Sequence, residues 1–324
     1  MILRHFKHFI FTATSWALEA NDDVLVGGQA VMEGVMMRSP KGYAVAVRRP
    51  DGSIKVIKET LQTAAEKWKI FKLPVFRGVG VLGQALVLGI KALRFSAEEA
   101  IQEEIAKSPA ETKPVETKPA EPEQLSPWLI AGPIILALGV NLALFIGLPL
   151  LLTNFLQSQM GFESRLLFNV IDGVLRVATF VFFLTMISWM KDMRRVFEYH
   201  GAEHKTVYNF EARESLTIDN ARKYSTLHPR CGTSFLFVLM IVSIFVFSIA
   251  HFDSITMKLI SRIILMPLIA GISYEIIRFS AKHPGSLLRI VTYPGLLLQK
   301  ITTKEPDTNQ LATAIKALEE ALSV

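Results

Sequence analysis

Thr233-Ser-Phe-Leu-Phe-Val-Leu-Met-Ile-Val-Ser-Ile-Phe-Val-Phe-Ser-Ile-Ala250 is a run of eighteen residues without one charged side chain. At about 1.5 Å per helical residue it reaches across most of a hydrocarbon core roughly 30 Å thick, and a soluble domain rarely carries such a run. Working outward, three more apolar runs cover residues 128–156, 166–189 and 259–277. The 324-residue chain is 51% hydrophobic and only 20% charged, with a mean hydropathy of +0.36. That balance excludes disorder, collagen and a free coiled coil. The fold predicted is mainly α: a polytopic α-helical membrane protein with about four transmembrane helices.

The remaining segments are ordered around those spans. Residues 1–23 loosely imitate a signal sequence, but the apolar stretch is short and holds Thr12, Thr14 and Ser15, so it reads as an amphipathic segment. Residues 24–60 are rich in Gly, Met and β-branched residues. They alternate over residues 43–47 and 53–57 around Arg49-Pro50-Asp51-Gly52, whose Asp-Gly supplies the positive φ of a tight turn; a small antiparallel β module is predicted. Within residues 61–95 the apolar run 78–90 is too short to span, so a buried or re-entrant helix packing through Gly78, Gly80, Gly83 and Gly89 is expected. Residues 96–127, with Glu111-Thr-Lys-Pro and Glu116-Thr-Lys-Pro, form a charged linker whose beginning can continue a helix.

Two transmembrane hairpins (128–190 and 233–279) then flank a long polar loop, 191–232. That loop holds Lys191, Arg194, Arg195, Lys205, Arg213, Arg222, Lys223 and Arg230, whereas the two short connections hold Arg165 alone. The positive-inside rule therefore puts the loop, the N-terminal module and the tail at 280–324 in the cytoplasm. In the tail, Asp307 and Gln310 suit a capping box before a helix with Leu311, Ile315, Leu318 and Leu322 on one face. The net charge of +6 contains no dense basic block, which fits contact with anionic lipid and excludes nucleic acid as the partner. A protein or peptide partner and an oligomer remain open. Cys231 is the only cysteine, so no intrachain disulfide forms.

The strongest chemical signal is His200-Gly-Ala-Glu203-His204. On a helix the two histidines lie one turn apart on the same face and can share a metal ion, with Glu203 beside them as general base. Met193, Val196, Phe197, His200, His204 and Val207 follow helical spacing, placing both imidazoles on the apolar stripe. His228-Pro-Arg-Cys231 offers another imidazole and a thiolate. Together the four donors would close a tetrahedral zinc shell, while three donors leave a position open for water, as hydrolysis needs. The predicted set is therefore His200, His204, His228 and Cys231 as ligands to a divalent metal, zinc by donor type, with Glu203 as catalytic base. Two readings stand beside it: histidines that are merely hydrogen-bonded near the headgroups, and Cys231 as a nucleophile at a helix N-terminus. Asp172 and Arg176, at i and i+4, suggest a salt bridge within the spans, and Glu275 and His283 lie at the right level to supply or orient a ligand.

Five motifs in order resemble the YqhQ-like bacterial membrane protein family: residues 27–38 (Gly-Gly-Gln-Ala-Val-Met-Glu-Gly-Val-Met-Met-Arg), His200-Gly-Ala-Glu203-His204-Lys205, His228-Pro-Arg-Cys231-Gly-Thr-Ser, Gly271-Ile-Ser-Tyr-Glu275, and Pro294-Gly295-Leu-Leu-Leu-Gln299 with Thr302-Thr-Lys-Glu-Pro306. The resemblance covers the chain from about Val24 to the last helix apart from the linker. It implies a membrane protein with a domain of unknown function, described as a metal-dependent enzyme. The function expected is a metal-dependent hydrolase of peptide or amide bonds at the cytoplasmic membrane face. The alternatives are a non-enzymatic scaffold or assembly factor stapled by a structural Cys/His site, and an ion or metal transporter.

Overall fold

A computed structural model describes residues 26–107, 127–229, 231–250, 252, 254–283 and 288–324. The amphipathic segment expected at 1–23 and the linker from 108 to 126 lie outside the described residues. The rest is mostly helical with one four-stranded sheet near the N-terminus.

Strands β1 (Gly27–Val31), β2 (Gly34–Arg38), β3 (Gly42–Arg48) and β4 (Ile54–Thr60) form an antiparallel meander in sequence order. The predicted turn joins β3 to β4: Gly52 takes a φ of +85°, and Asp51 Oδ1 accepts from the Ser53 N–H at 2.8 Å. The β1–β2 turn is one the sequence does not announce. It is made by Met32 and Glu33, and Glu33 sits in the left-handed region at φ 51°.

Both faces of the sheet are covered. Along β3, Tyr43, Val45 and Val47 meet Leu88, Ala92 and Phe95 of α1 (Phe76–Lys107), whereas Ala44 and Ala46 meet Leu311, Ala314 and Leu318. The period-2 alternation of a strand thus serves two cores. The second cover is the terminal helix Thr308–Leu322, in which both halves of the predicted capping box form and Ala314, Ala317 and Ala321 allow close approach to the sheet.

Helix α1 corrects one expectation. It is an unbroken 32-residue helix, about 48 Å long, without a re-entrant break and with much of its apolar surface exposed. Lys91 and Arg94 interrupt the apolar run but not the helix, because they point outward to Glu59 and Glu98. Beyond them Ser96 Oγ donates to the Met32 carbonyl at 2.6 Å, and Glu99 holds Arg49 and Lys55. The expected glycine packing is present at Gly78, where a Cβ would lie 2.7 Å from Tyr274, and absent at Gly83, which faces open space.

The apolar helices follow. α2 (Pro127–Leu142) runs through a π-turn at Ala143–Gly147 into α3 (Leu148–Met160), and α4 is Arg165–Ser188. After α5 (Lys191–Glu211) and the short α6 (Ile218–Arg222) comes α7, Gly232–Ile249. The fourth expected span is instead two helices, α8 (Ile255–Ile264) and α9 (Met266–Lys282), bent by 50°. Pro267 explains the break, since it donates no N–H and its ring crowds the preceding turn. Helices α10 (Leu288–Thr302) and α11 (Thr308–Leu322) complete the chain. Among the described residues four helices are long and apolar enough to cross a membrane, α1 among them by length and composition, and a fifth span results if α8 and α9 count as one.

Candidate metal centre

The centre forms where α5 meets the start of α7, the end of α10 and strand β1. Helix α5 lies close to the chain after α10: the Lys304 N–H donates to the Phe197 carbonyl at 2.9 Å, and a Cβ at position 201 would stand 2.0 Å from the Lys304 carbonyl oxygen. The glycine between the two histidines therefore permits this approach. One consequence is that the Thr302 carbonyl accepts from Nδ1 of His200 at 2.8 Å. Nδ1 of His204 likewise donates to the Thr226 carbonyl. With each Nδ1 proton committed to a backbone oxygen, each Nε2 presents a lone pair, the usual arrangement of a metal-ligating imidazole.

Those two lone pairs converge. Nε2 of His200 lies 3.2 Å from Sγ of Cys231, and the ligand atoms of His200, His204 and Cys231 all lie within 4.8 Å of one another. Nε2 of His204 is buried without a hydrogen-bond partner among the described residues. A buried polar atom normally finds one, so the orphan marks a place for a further group. Two nitrogens and one sulfur at this spacing fit a borderline-soft divalent cation such as zinc. Cys231 caps α7, at the positive end of that helix dipole.

Glu203 is buried beside the triplet, its Oε2 at 3.6 Å from Nε2 of His204 and 3.9 Å from Nε2 of His200. Room for it comes from Gly28 of β1, where a Cβ would lie 2.9 Å from the Glu203 Cγ. The glycine-rich segment thus contributes space to the site. It also contributes a clamp: Arg195, five residues before His200, gives two guanidinium N–H groups to the Glu33 carboxylate at the strained β1–β2 turn. The Tyr199 hydroxyl reaches the same carboxylate at 3.4 Å, and burial pushes its pKa upward.

His228 stands apart from the triplet. Its Nε2 lies 3.2 Å from the Glu211 carboxylate, and burial depresses its pKa to about 4 against the opposing charge of Glu203. The sequence spacing offered His228 as a ligand, but the nitrogen that would serve is turned to Glu211. Gln299 holds its backbone from both sides, accepting from the His228 N–H at 2.7 Å and donating to the His228 carbonyl at 2.8 Å. Glu275 and His283 do not join the site either. Glu275 is clamped by Arg77 and the Val75 N–H, while exposed His283 stacks on Phe279. Asp172 and Arg176 do pair, at 2.8 Å.

Sequence reasoning missed Glu211, Gln299 and the Thr226 and Thr302 carbonyls. Gln299, a lone amide after Leu296-Leu-Leu298, carried a usable signal; backbone carbonyls carry none.

The family described as Protein of unknown function (DUF1385) matches residues 73–324. The chain is also 34% identical over 301 residues to the uncharacterized protein YqhQ of Bacillus subtilis (strain 168), a match covering 91% of this chain and 92% of that protein. No solved structure matches.

Proposed function

The chain belongs to the DUF1385 family, and from the geometry of its centre we propose that it is a divalent-metal-dependent membrane hydrolase acting on peptide or amide bonds at the cytoplasmic membrane face. One observation carries this reading: among the described residues two imidazole nitrogens with fixed tautomers and one thiol converge, with a buried carboxylate alongside. Three protein donors leave a coordination position for water and substrate, which separates a catalytic site from a closed structural one. His200, His204 and Cys231 would hold the ion. When bound, a divalent ion lowers the pKa of water and polarises a carbonyl oxygen.

The protein's own groups supply the rest. Glu203 takes the proton from the attacking water and returns it to the leaving amine, the two halves of general acid–base catalysis. The Thr302 and Thr226 carbonyls keep both imidazoles in one tautomer and orientation. The Glu33–Arg195 clamp and Gly28 hold α5 against the sheet, so that Glu203 keeps its place. His228, neutral and hydrogen-bonded to Glu211, fixes the loop that delivers Cys231. Membrane placement is supported by the long apolar helices: with α1 packed on the sheet through Leu88, Ala92 and Phe95, the spans α2–α3, α4 and α7 and the bent pair α8–α9 make four crossings, and the basic residues concentrated in 191–232 support a cytoplasmic side for both described ends at a bacterial inner membrane.

The test is a peptide-library hydrolysis assay on the full-length, metal-loaded protein, read by mass spectrometry. Wild type should cleave, and Glu203→Gln should keep its metal and fold while losing cleavage by at least about a hundredfold. If Glu203→Gln cleaves as wild type does, or if wild type cleaves nothing, the hydrolase reading fails.

A further inference from the structure

At the opposite end of α4 and α7 from the candidate metal centre, about 24 Å away along α7 from Cys231 to Phe247, lies a cavity of about 350 Å³ that the function above does not use. Helix α8 forms one wall, and its amphipathicity is inverted for a soluble protein. Ile255, Met257, Ile260, Ile263 and Ile264 face outward, whereas Arg262 is turned inward and is only 3% exposed. An apolar exterior over a charged interior suits a helix that meets hydrocarbon or the headgroup boundary.

The interior holds more positive than negative charge. Asp172 accepts from both Arg176 and Arg262 at 2.8 Å each, so two guanidinium groups share one carboxylate. Both guanidinium groups also lie against the Phe247 ring, at 5.5 and 5.2 Å from its centre. Nε of Arg176 and Nε of Arg262 are buried with no hydrogen-bond partner among the described residues, against one unpartnered acceptor, Oδ1 of Asp172. Buried donors in excess call for an acceptor. Arg262 lines the cavity with Lys258 and Arg165, and Glu163 is the one acidic side chain on its wall among the described residues. Arg165 lies at the rim, exposed, and makes no ion pair among the described residues. Asn169 and Ser248 also line the wall, but the Asn169 amide and the Ser248 hydroxyl already donate to backbone carbonyls. The arginines are therefore the donors left for a ligand.

We propose that this cavity binds a phosphate group, with Arg262 and Arg165 as its cationic donors. The rim is formed by the short connections at the ends of α3, α4 and α7, the level of the lipid headgroups in the membrane reading given above. The headgroup phosphate of a phospholipid fits that position, and free phosphate has the same chemistry. The site is independent of the metal centre.

Native mass spectrometry of the full-length protein, released from nanodiscs of phosphatidylglycerol and phosphatidylcholine, tests the lipid source. Calorimetric titration of delipidated protein with inorganic phosphate tests the free one. Wild type should retain about one phospholipid per chain, and Arg165→Glu and Arg262→Gln should each lower occupancy by about tenfold or more, with metal content unchanged. If Arg262→Gln fails to fold, exposed Arg165 still carries the test. Phosphate binding by wild type that Arg165→Glu abolishes, without charge-dependent lipid retention, supports the site with a soluble ligand. If Arg165→Glu changes neither lipid occupancy nor phosphate binding, the proposal is overturned.

Discussion

Replacing Gly201 by Ala tests whether the proposed metal centre depends on the close approach of α5 to the segment after α10. A Cβ at 201 would meet the Lys304 carbonyl oxygen at 2.0 Å, and ordinary contact begins near 3.4 Å, so the two chains would have to separate by about 1.4 Å. The Lys304–Phe197 backbone bond at 2.9 Å and the His200–Thr302 bond at 2.8 Å both cross that gap and would be lost. Alanine is worth about 1 kcal/mol more than glycine in a helix interior, which opposes the damage. Overpacking costs about 1–3 kcal/mol and each of the two lost hydrogen bonds roughly 0.5–1.5 kcal/mol, so a net destabilisation of about 1–5 kcal/mol is expected. Metal affinity should fall further than stability alone implies, by about 10–100-fold, because His200 loses the carbonyl that fixes its tautomer. The assay pairs a thermal unfolding midpoint in detergent with competitive metal titration against a chelator. Gly83→Ala is the control, since a Cβ there meets nothing within 4 Å. A Gly201→Ala protein with unchanged metal affinity would refute the reasoning, even if it were less stable.

Gln299→Leu keeps the side-chain volume but leaves the His228 N–H and carbonyl unpaired in a buried site, so a loss of about 2–4 kcal/mol and weaker metal retention are expected in unfolding and chelator-competition measurements. His228 has a pH signature. Its folded pKa of about 4 lies below the ordinary 6.5, so between those values the unfolded chain binds a proton that the folded chain refuses, and stability falls as pH drops through that window. The full contribution is about 3 kcal/mol, and unfolding of chelator-treated protein from pH 7 to pH 4 should show it in wild type and lack it in His228→Gln. For topology, single cysteines at exposed Glu214 and Gln159 in a Cys231→Ser background should behave oppositely toward an impermeant thiol reagent on intact cells, with 159 labelled and 214 protected. Labelling at 214 would reverse the orientation and put the metal centre outside.

Much of this architecture is written locally in the chain. Asp51-Gly52 marks its turn because Gly52 alone can take the positive φ, and Asp307 with Gln310 marks the last helix because both capping bonds are local. The β1–β2 turn is illegible by the same logic. Met32 and Glu33 have no turn chemistry, and the left-handed Glu33 is held by Arg195, 162 residues away. Helix α1 looked short because Lys91 and Arg94 end the apolar run, and only the sheet's second core shows why the helix continues. Pro267 carries a signal for the break in the last apolar stretch, which a reading of 259–277 as one span passes over. At the site, the spacing of His200, Glu203 and His204 was readable because one helix carries all three. His228 was not separable from the candidate ligands, since Glu211, which faces its nitrogen, lies 17 residues away on another turn of the fold.

The most direct measurement is metal content with the identity of the ligating atoms: elemental analysis of the full-length protein, followed by X-ray absorption at the zinc edge. One divalent ion per chain is expected, with two nitrogen neighbours at about 2.0–2.1 Å, one sulfur at about 2.3 Å and a light fourth atom. The ion should be absent from His200→Ala, His204→Ala and Cys231→Ser and retained in Glu203→Gln. Protein that binds no stoichiometric metal, or a shell without sulfur, would contradict the centre built by His200, His204 and Cys231.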